Sequence, residues 1–129
     1  MKKKSLFSIA IALIAVLVGG GVYMAVFGNT KTVGTFSLTD YSDFIERFPS
    51  EIVLGSIDSA QLAREKAETV WIDIYGESVK DRKPYHVDFD DESQVWLVQG
   101  SLPKHRDGGV PHILIQRSDG KVLAVWHTK

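Results

Sequence analysis

The sequence contains no cysteine among its 129 residues. That excludes a disulfide framework and a lipid anchor on an N-terminal cysteine, so any folded part must be held by its apolar core alone. A nucleotide-binding glycine loop, a zinc-protease motif and a cysteine pair are also missing, which removes the commonest short signatures of cofactor and metal chemistry. No internal repeat and no low-complexity segment is present. Charge of one sign is scarce as well: 15 Lys and Arg face 16 Asp and Glu, for a formal net charge of −1.

Charge is distributed unevenly, however. After MKKKS, residues Leu6 to Phe27 (LFSIAIALIAVLVGGGVYMAVF) carry no charge at all. At about 1.5 Å per residue this run makes roughly 33 Å of helix, enough to cross a hydrocarbon core of about 30 Å. Lys2, Lys3 and Lys4 would remain cytoplasmic by the positive-inside rule, placing the chain beyond Phe27 outside the cytoplasm. The length of the run, and the absence of a clean A-x-A site, favour an uncleaved signal anchor. A cleaved signal peptide, leaving a secreted or periplasmic domain, is the alternative. The expected organisation is a basic tip over 1–5, a membrane segment over 6–27, a small polar tether over 28–40 and an extracytoplasmic domain over 41–129. Three lysines and no acid precede Asn29, so Asn29–Lys129 carries a formal charge of −4. That balance disfavours nucleic acid and suits a basic partner.

Within the outer part, Tyr41, Phe44, Ile45 and Phe48 recur at helical spacing, with Asp40 or Ser42 as the cap and Pro49 as the stop. EIVLGSI reads as a brief extended piece. DSAQLAREKAETVWIDIYG predicts the longest helix. Asp58 and Gln61 form something like a capping box, and Ala60, Ala63, Ala67, Val70, Trp71 and Ile74 fall on one stripe. Gly76 supplies the stop. Four runs then read as strands: Tyr85–Asp90, Gln94–Leu102, Val110–Gln116 and Lys121–His127. Turns at 90–93 and at Asp119-Gly120 separate two of the pairs. The fold class is α+β, a long helix packed on a curved four-stranded antiparallel meander.

Candidate chemistry is sparse. His86 and Asp88 share a strand face and could relay a proton or bind a metal, but no further ligand joins them at suitable spacing. His105 lies in a polar loop, and His112 and His127 lie on the last two strands. No metal site, cofactor or catalytic residue is therefore predicted. Tyr75, Tyr85, Trp96 and Trp126 could line a concave pocket or simply fill the core. The terminal strand is apolar on both faces: one must meet the helix and the other is free for a partner. Asp88, Asp90, Asp91 and Glu92 form the densest charge cluster, expected to be a solvated hairpin tip or a patch steering a basic partner.

Several pieces together resemble one family. The helix ending in IYG (Ile74–Gly76), PY at Pro84–Tyr85, VWLVQGSLP at Val95–Pro103, GGVPHILIQRSDGKVL at Gly108–Leu123 and the terminal H-x-K at His127–Lys129 are similar to bacterial immunity proteins of polymorphic toxin systems. Those proteins have a nuclear-transport-factor-2-like fold. The resemblance spans about Ala60 to Lys129 and implies binding without catalysis, with a cognate toxin as the partner. Under it the expected contacts are the acidic tip (Asp88, Asp90, Asp91, Glu92), the loop residues His105, Arg106 and Asp107, and Trp126 with His127 as an aromatic anchor. Two other readings stand beside it. One is a ligand-binding or enzymatic domain using the space between helix and sheet; the other is an accessory subunit of an envelope complex.

Overall fold

Val, Ile, Leu and Trp dominate the second half of the chain, and they form consecutive strands joined by short turns. In the computed structural model, which describes residues 33–103 and 108–129, these are β2 (His86–Asp90), β3 (Val95–Gln99), β4 (Pro111–Gln116) and β5 (Val122–His127). Each pairs antiparallel with the next, as the meander requires. The sheet has five strands rather than the expected four. Gly34–Thr35, inside the stretch read as tether, forms β1 and pairs parallel to Asp88 and Phe89. Two residues with one small side chain carry too little periodic signal to announce a strand. The membrane segment expected at Leu6–Phe27 lies outside the described residues, and no described helix is long and apolar enough to cross a membrane.

The long helix, α2 (Ala60–Tyr75), lies on one face of the sheet. Its cap is Ser59, not Asp58: the Ser59 hydroxyl accepts from the Leu62 N–H at 3.1 Å, satisfying one of the free first-turn donors. Gln61 does not reach back to complete a capping box, and donates instead to Glu65. Gly76 ends the helix at φ 96° and ψ 174°, a region open essentially to glycine alone. Ala63, Ala67, Val70 and Trp71 are buried against Val87, Trp96, Val98, Ile113, Ile115 and Val122. Ile74, expected on the same stripe, is exposed. Trp71 Nε1 donates to the His112 carbonyl, and Trp96 Nε1 donates to that of Ile57, so both indoles gain a polar partner while filling the interior.

The opposite face of the sheet is covered too. A 3-10 turn at Leu38–Tyr41 leads into the short helix α1 (Ser42–Arg47), and neither start has the side-chain cap expected of Asp40 or Ser42. Phe36, Leu38, Tyr41, Phe44, Ile45 and Phe48 pack on Val95, Leu97, Leu114, Ala124 and Trp126. Burial from both sides explains why Val95, Trp96, Leu97 and Val98 are all buried in succession, with no polar alternation. Residues 48–57 then run along the open edge of β5. Val125 N–H donates to the Phe48 carbonyl, Val122 N–H to that of Ile52, and Leu54 N–H to that of Gly120. These bonds use backbone groups that an edge strand would otherwise expose to another chain.

Candidate partner-binding sites

The acidic hairpin tip separates into two carboxylates withdrawn from solvent, Asp88 and Asp90, and two exposed ones, Asp91 and Glu92. Asp90 is buried at the end of β2. Its Oδ2 accepts from the Leu38 N–H at 2.9 Å and from the Ser93 hydroxyl at 2.8 Å, and its Oδ1 accepts from the Glu92 N–H at 3.0 Å. The Leu38 bond, followed by that from Ser93, holds its carboxyl below the usual range. Asp90 therefore ties the tip to the segment before α1 and is not available as an outward contact. Asp88 is half-buried against Gly34, where a Cβ would lie 2.2 Å from its Oδ1, and desolvation raises its pKa. Asp91 and Glu92 are exposed.

One row of residues crosses the α1-facing side of the sheet. His86 pairs with Gln99, Gln99 with His112, and His112 with Trp126. The His86 Nε2 lies 2.9 Å from the Ser101 hydroxyl, and the His112 Nδ1 lies 2.8 Å from Gln99 Oε1. Since the amide oxygen only accepts, Nδ1 carries the hydrogen and Nε2 holds a lone pair, buried without a hydrogen-bond partner. Burial, and secondarily the nearby His127, lower the His112 pKa to about 4.

Trp126 corrects one expectation. It is 5% exposed and enclosed by its own chain: its ring stacks on Phe44 at 4.6 Å and contacts Tyr41 and Phe48 at 6.1 and 6.4 Å. The apolar face of β5 is occupied by α1, so Trp126 is core and cannot anchor a partner without local opening. His127, the next residue, is exposed on the opposite side of the strand. His105, Arg106 and Asp107 lie outside the described residues. Among the described residues no three His, Asp or Glu side chains gather around a point where a metal could sit.

Of the four aromatics considered for a pocket, Tyr85, Trp96 and Trp126 are buried in the packing, and only Tyr75 borders a cleft. That cleft, about 340 Å³, is lined by Tyr75, Ser78, Val79, Arg82 and His127. It forms where α2 ends at Gly76, a 3-10 segment at Glu77–Arg82 turns away, and the end of β5 passes beneath. Tyr75 and His127 approach with ring centroids 5.1 Å apart, and burial raises the Tyr75 pKa. The Arg82 Nε donates to the Gly109 carbonyl at 2.8 Å. Gly109 must lack a side chain here, because a Cβ would meet the Thr128 carbonyl oxygen. Ser78 and Arg82 had no sequence signal, since the 3-10 segment has neither helical nor strand period.

A family model described as NTF2 fold immunity protein matches residues 62–129, more than half of the chain. The chain belongs to this family. Neither the curated proteins nor the solved structures provide a match. The immunity-protein match begins within the first turn of α2 and includes β2 to β5 and every described residue of the cleft. It leaves out β1, α1 and the aromatic residues that cover Trp126. The expected α+β architecture of the family is present, with a long helix on an antiparallel-rich sheet.

Proposed function

We propose that this immunity protein neutralises a cognate bacterial toxin by direct protein contact, without catalysing a reaction, while held at the membrane by Leu6–Phe27. Membership of the immunity family over residues 62–129 is the observation that carries this reading. The uncharged run behind three lysines supports an anchor whose C-terminal domain stands outside the cytoplasm. Exposed Asp91 and Glu92 offer a basic partner an attractive field, and a stable complex would bury on the order of 1,200–2,000 Å² in total.

The filled interior argues against the alternative of a ligand pocket between helix and sheet. Ile57, Trp71, Trp96 and Ile113 leave the α2-facing side packed, each no more than 6% exposed. The test is capture of the full-length tagged protein from its native membrane after mild crosslinking. One stoichiometric partner that is toxic when produced without this chain, and harmless with it, supports the proposal. Recovery of the chain alone, or only with itself, overturns it.

A further inference from the structure

Four of the five described residues lining the cleft at the end of α2 share a chemical property. Tyr75 and Ser78 carry hydroxyls, Arg82 a guanidinium and His127 an imidazole, and all four can donate a hydrogen bond. None of the described lining residues is Asp, Glu, Asn or Gln. This cation-bearing cleft occurs in a domain whose formal charge is −4, against the prevailing sign. Arg82 is held in place: its Nε bond to Gly109 fixes the plane of the guanidinium, and its own carbonyl accepts from the Ser101 N–H at 2.6 Å. Among the described residues the two terminal nitrogens of the fork, the groups suited to a planar bidentate acceptor, make no hydrogen bond.

The surroundings favour a protein ligand. Ile74, immediately before Tyr75, is 48% exposed, and Leu102, immediately after Ser101, is 49% exposed. They are two of the four large hydrophobics exposed among the described residues: Ile74 lies in the last turn of α2, which borders the cleft, and Leu102 follows Ser101, whose N–H is bonded to the Arg82 carbonyl. Aliphatic groups beside an Arg and a Tyr match the composition of energetic centres in protein interfaces. The volume, about 340 Å³, accommodates an acidic side chain together with its backbone.

We infer that this cleft receives an Asp or Glu side chain of the partner protein, with the Arg82 fork on the carboxylate and Tyr75, Ser78 and His127 as additional donors. The inference rests on the proposed function as a toxin-binding protein and deepens it by naming the socket. It also gives the surface two chemically distinct contacts: an acidic tip at Asp91 and Glu92, and a carboxylate receptor beside the C-terminal end of α2.

The test uses the isotope-labelled full-length protein in lipid nanodiscs, titrated with acetyl-glutamate methylamide, with acetyl-glutamine methylamide as the isosteric control. Saturable shifts confined to Tyr75, Ser78, Arg82 and His127, given by the glutamate compound only, are expected. Arg82→Gln should weaken binding about tenfold, the size of one charge-assisted hydrogen bond. Because Arg82 also holds Gly109, His127→Gln at an exposed position serves as the second variant. It should weaken binding by several-fold with an unchanged melting temperature. Absence of saturation, or an equal response to the glutamine compound, overturns the inference. A captured toxin that binds both variants as tightly as the native chain also overturns it and leaves the immunity reading intact. Saturation by the glutamate compound with no toxin captured overturns the immunity reading and leaves the carboxylate socket standing.

Discussion

His112 lies flat against Trp126, ring centroids 5.0 Å apart and planes within 3° of parallel. Stacked there with one nitrogen on Gln99 and the other unpartnered, the imidazole is held neutral, with a pKa lowered to about 4 by burial and by His127. A histidine whose folded pKa lies below its ordinary value of about 6.5 binds fewer protons folded than unfolded, so its contribution to stability is complete above about pH 6.5. It is lost progressively as pH falls through 6.5 toward 4. Because the ring is only half-buried, the loss between pH 7 and pH 5 is at most about 2 kcal/mol. Denaturant midpoints at the two pH values, compared between the native chain and His112→Gln, should show a smaller difference in the variant. Equal differences would remove His112 as the source.

Trp126→Ala should behave as a core substitution and not as the loss of a partner contact. Removing an indole packed on Phe44, His112 and Tyr41 costs about 3–5 kcal/mol. Urea unfolding followed by far-UV circular dichroism measures it. A variant as stable as the native chain but deficient in partner binding would restore the anchor role.

The helix cap separates two neighbouring residues. Ser59→Ala should lower stability by about 1 kcal/mol, while Asp58→Ala should change it by less than about 0.5 kcal/mol. Melting temperatures of the two variants decide between them, and the reverse ranking would return the cap to Asp58.

Gly120 occupies φ 74°, and a Cβ on it would lie 2.0 Å from the Gly55 carbonyl oxygen. Backbone strain and the clash act together, so Gly120→Ala should cost on the order of 1–3 kcal/mol and loosen residues 52–55 from β5. Amide exchange at Leu54 and Val122, whose N–H groups make the bonds between the two segments, should accelerate. Unchanged protection at both would contradict this account.

Charge reversal at the tip distinguishes steering from structure. Asp91→Lys with Glu92→Lys should slow association with the toxin several-fold at low salt and much less at high salt, with little change in stability. Asp90→Lys should instead unfold the tip, because Leu38, Glu92 and Ser93 lose their acceptor. Stopped-flow association rates across ionic strength read the first effect. A salt-independent ratio of variant to native rates would remove the tip from the interface.

The sequence by itself determined the local elements. Its apolar periodicities marked the long helix and the four strands of the meander, Gly76 its stop and Asp119-Gly120 a hairpin turn, because helix and strand periods and glycine's tolerance of positive φ are properties of neighbouring residues. It also carried the family resemblance, read over about Ala60 to Lys129, and the family model matches residues 62–129. Tertiary structure decided what those elements meet. That Phe44 and Tyr41 cover Trp126 depends on contacts across some eighty residues, and no local pattern distinguishes a face covered by its own chain from one awaiting a partner. Asp90 looked like one solvated acid among four until its three donors, one from Leu38, were brought to it. The cleft obeys the same logic: Tyr75, Ser78, Arg82 and His127 acquire a common role only because the chain turns at Gly76 and β5 ends beneath that turn.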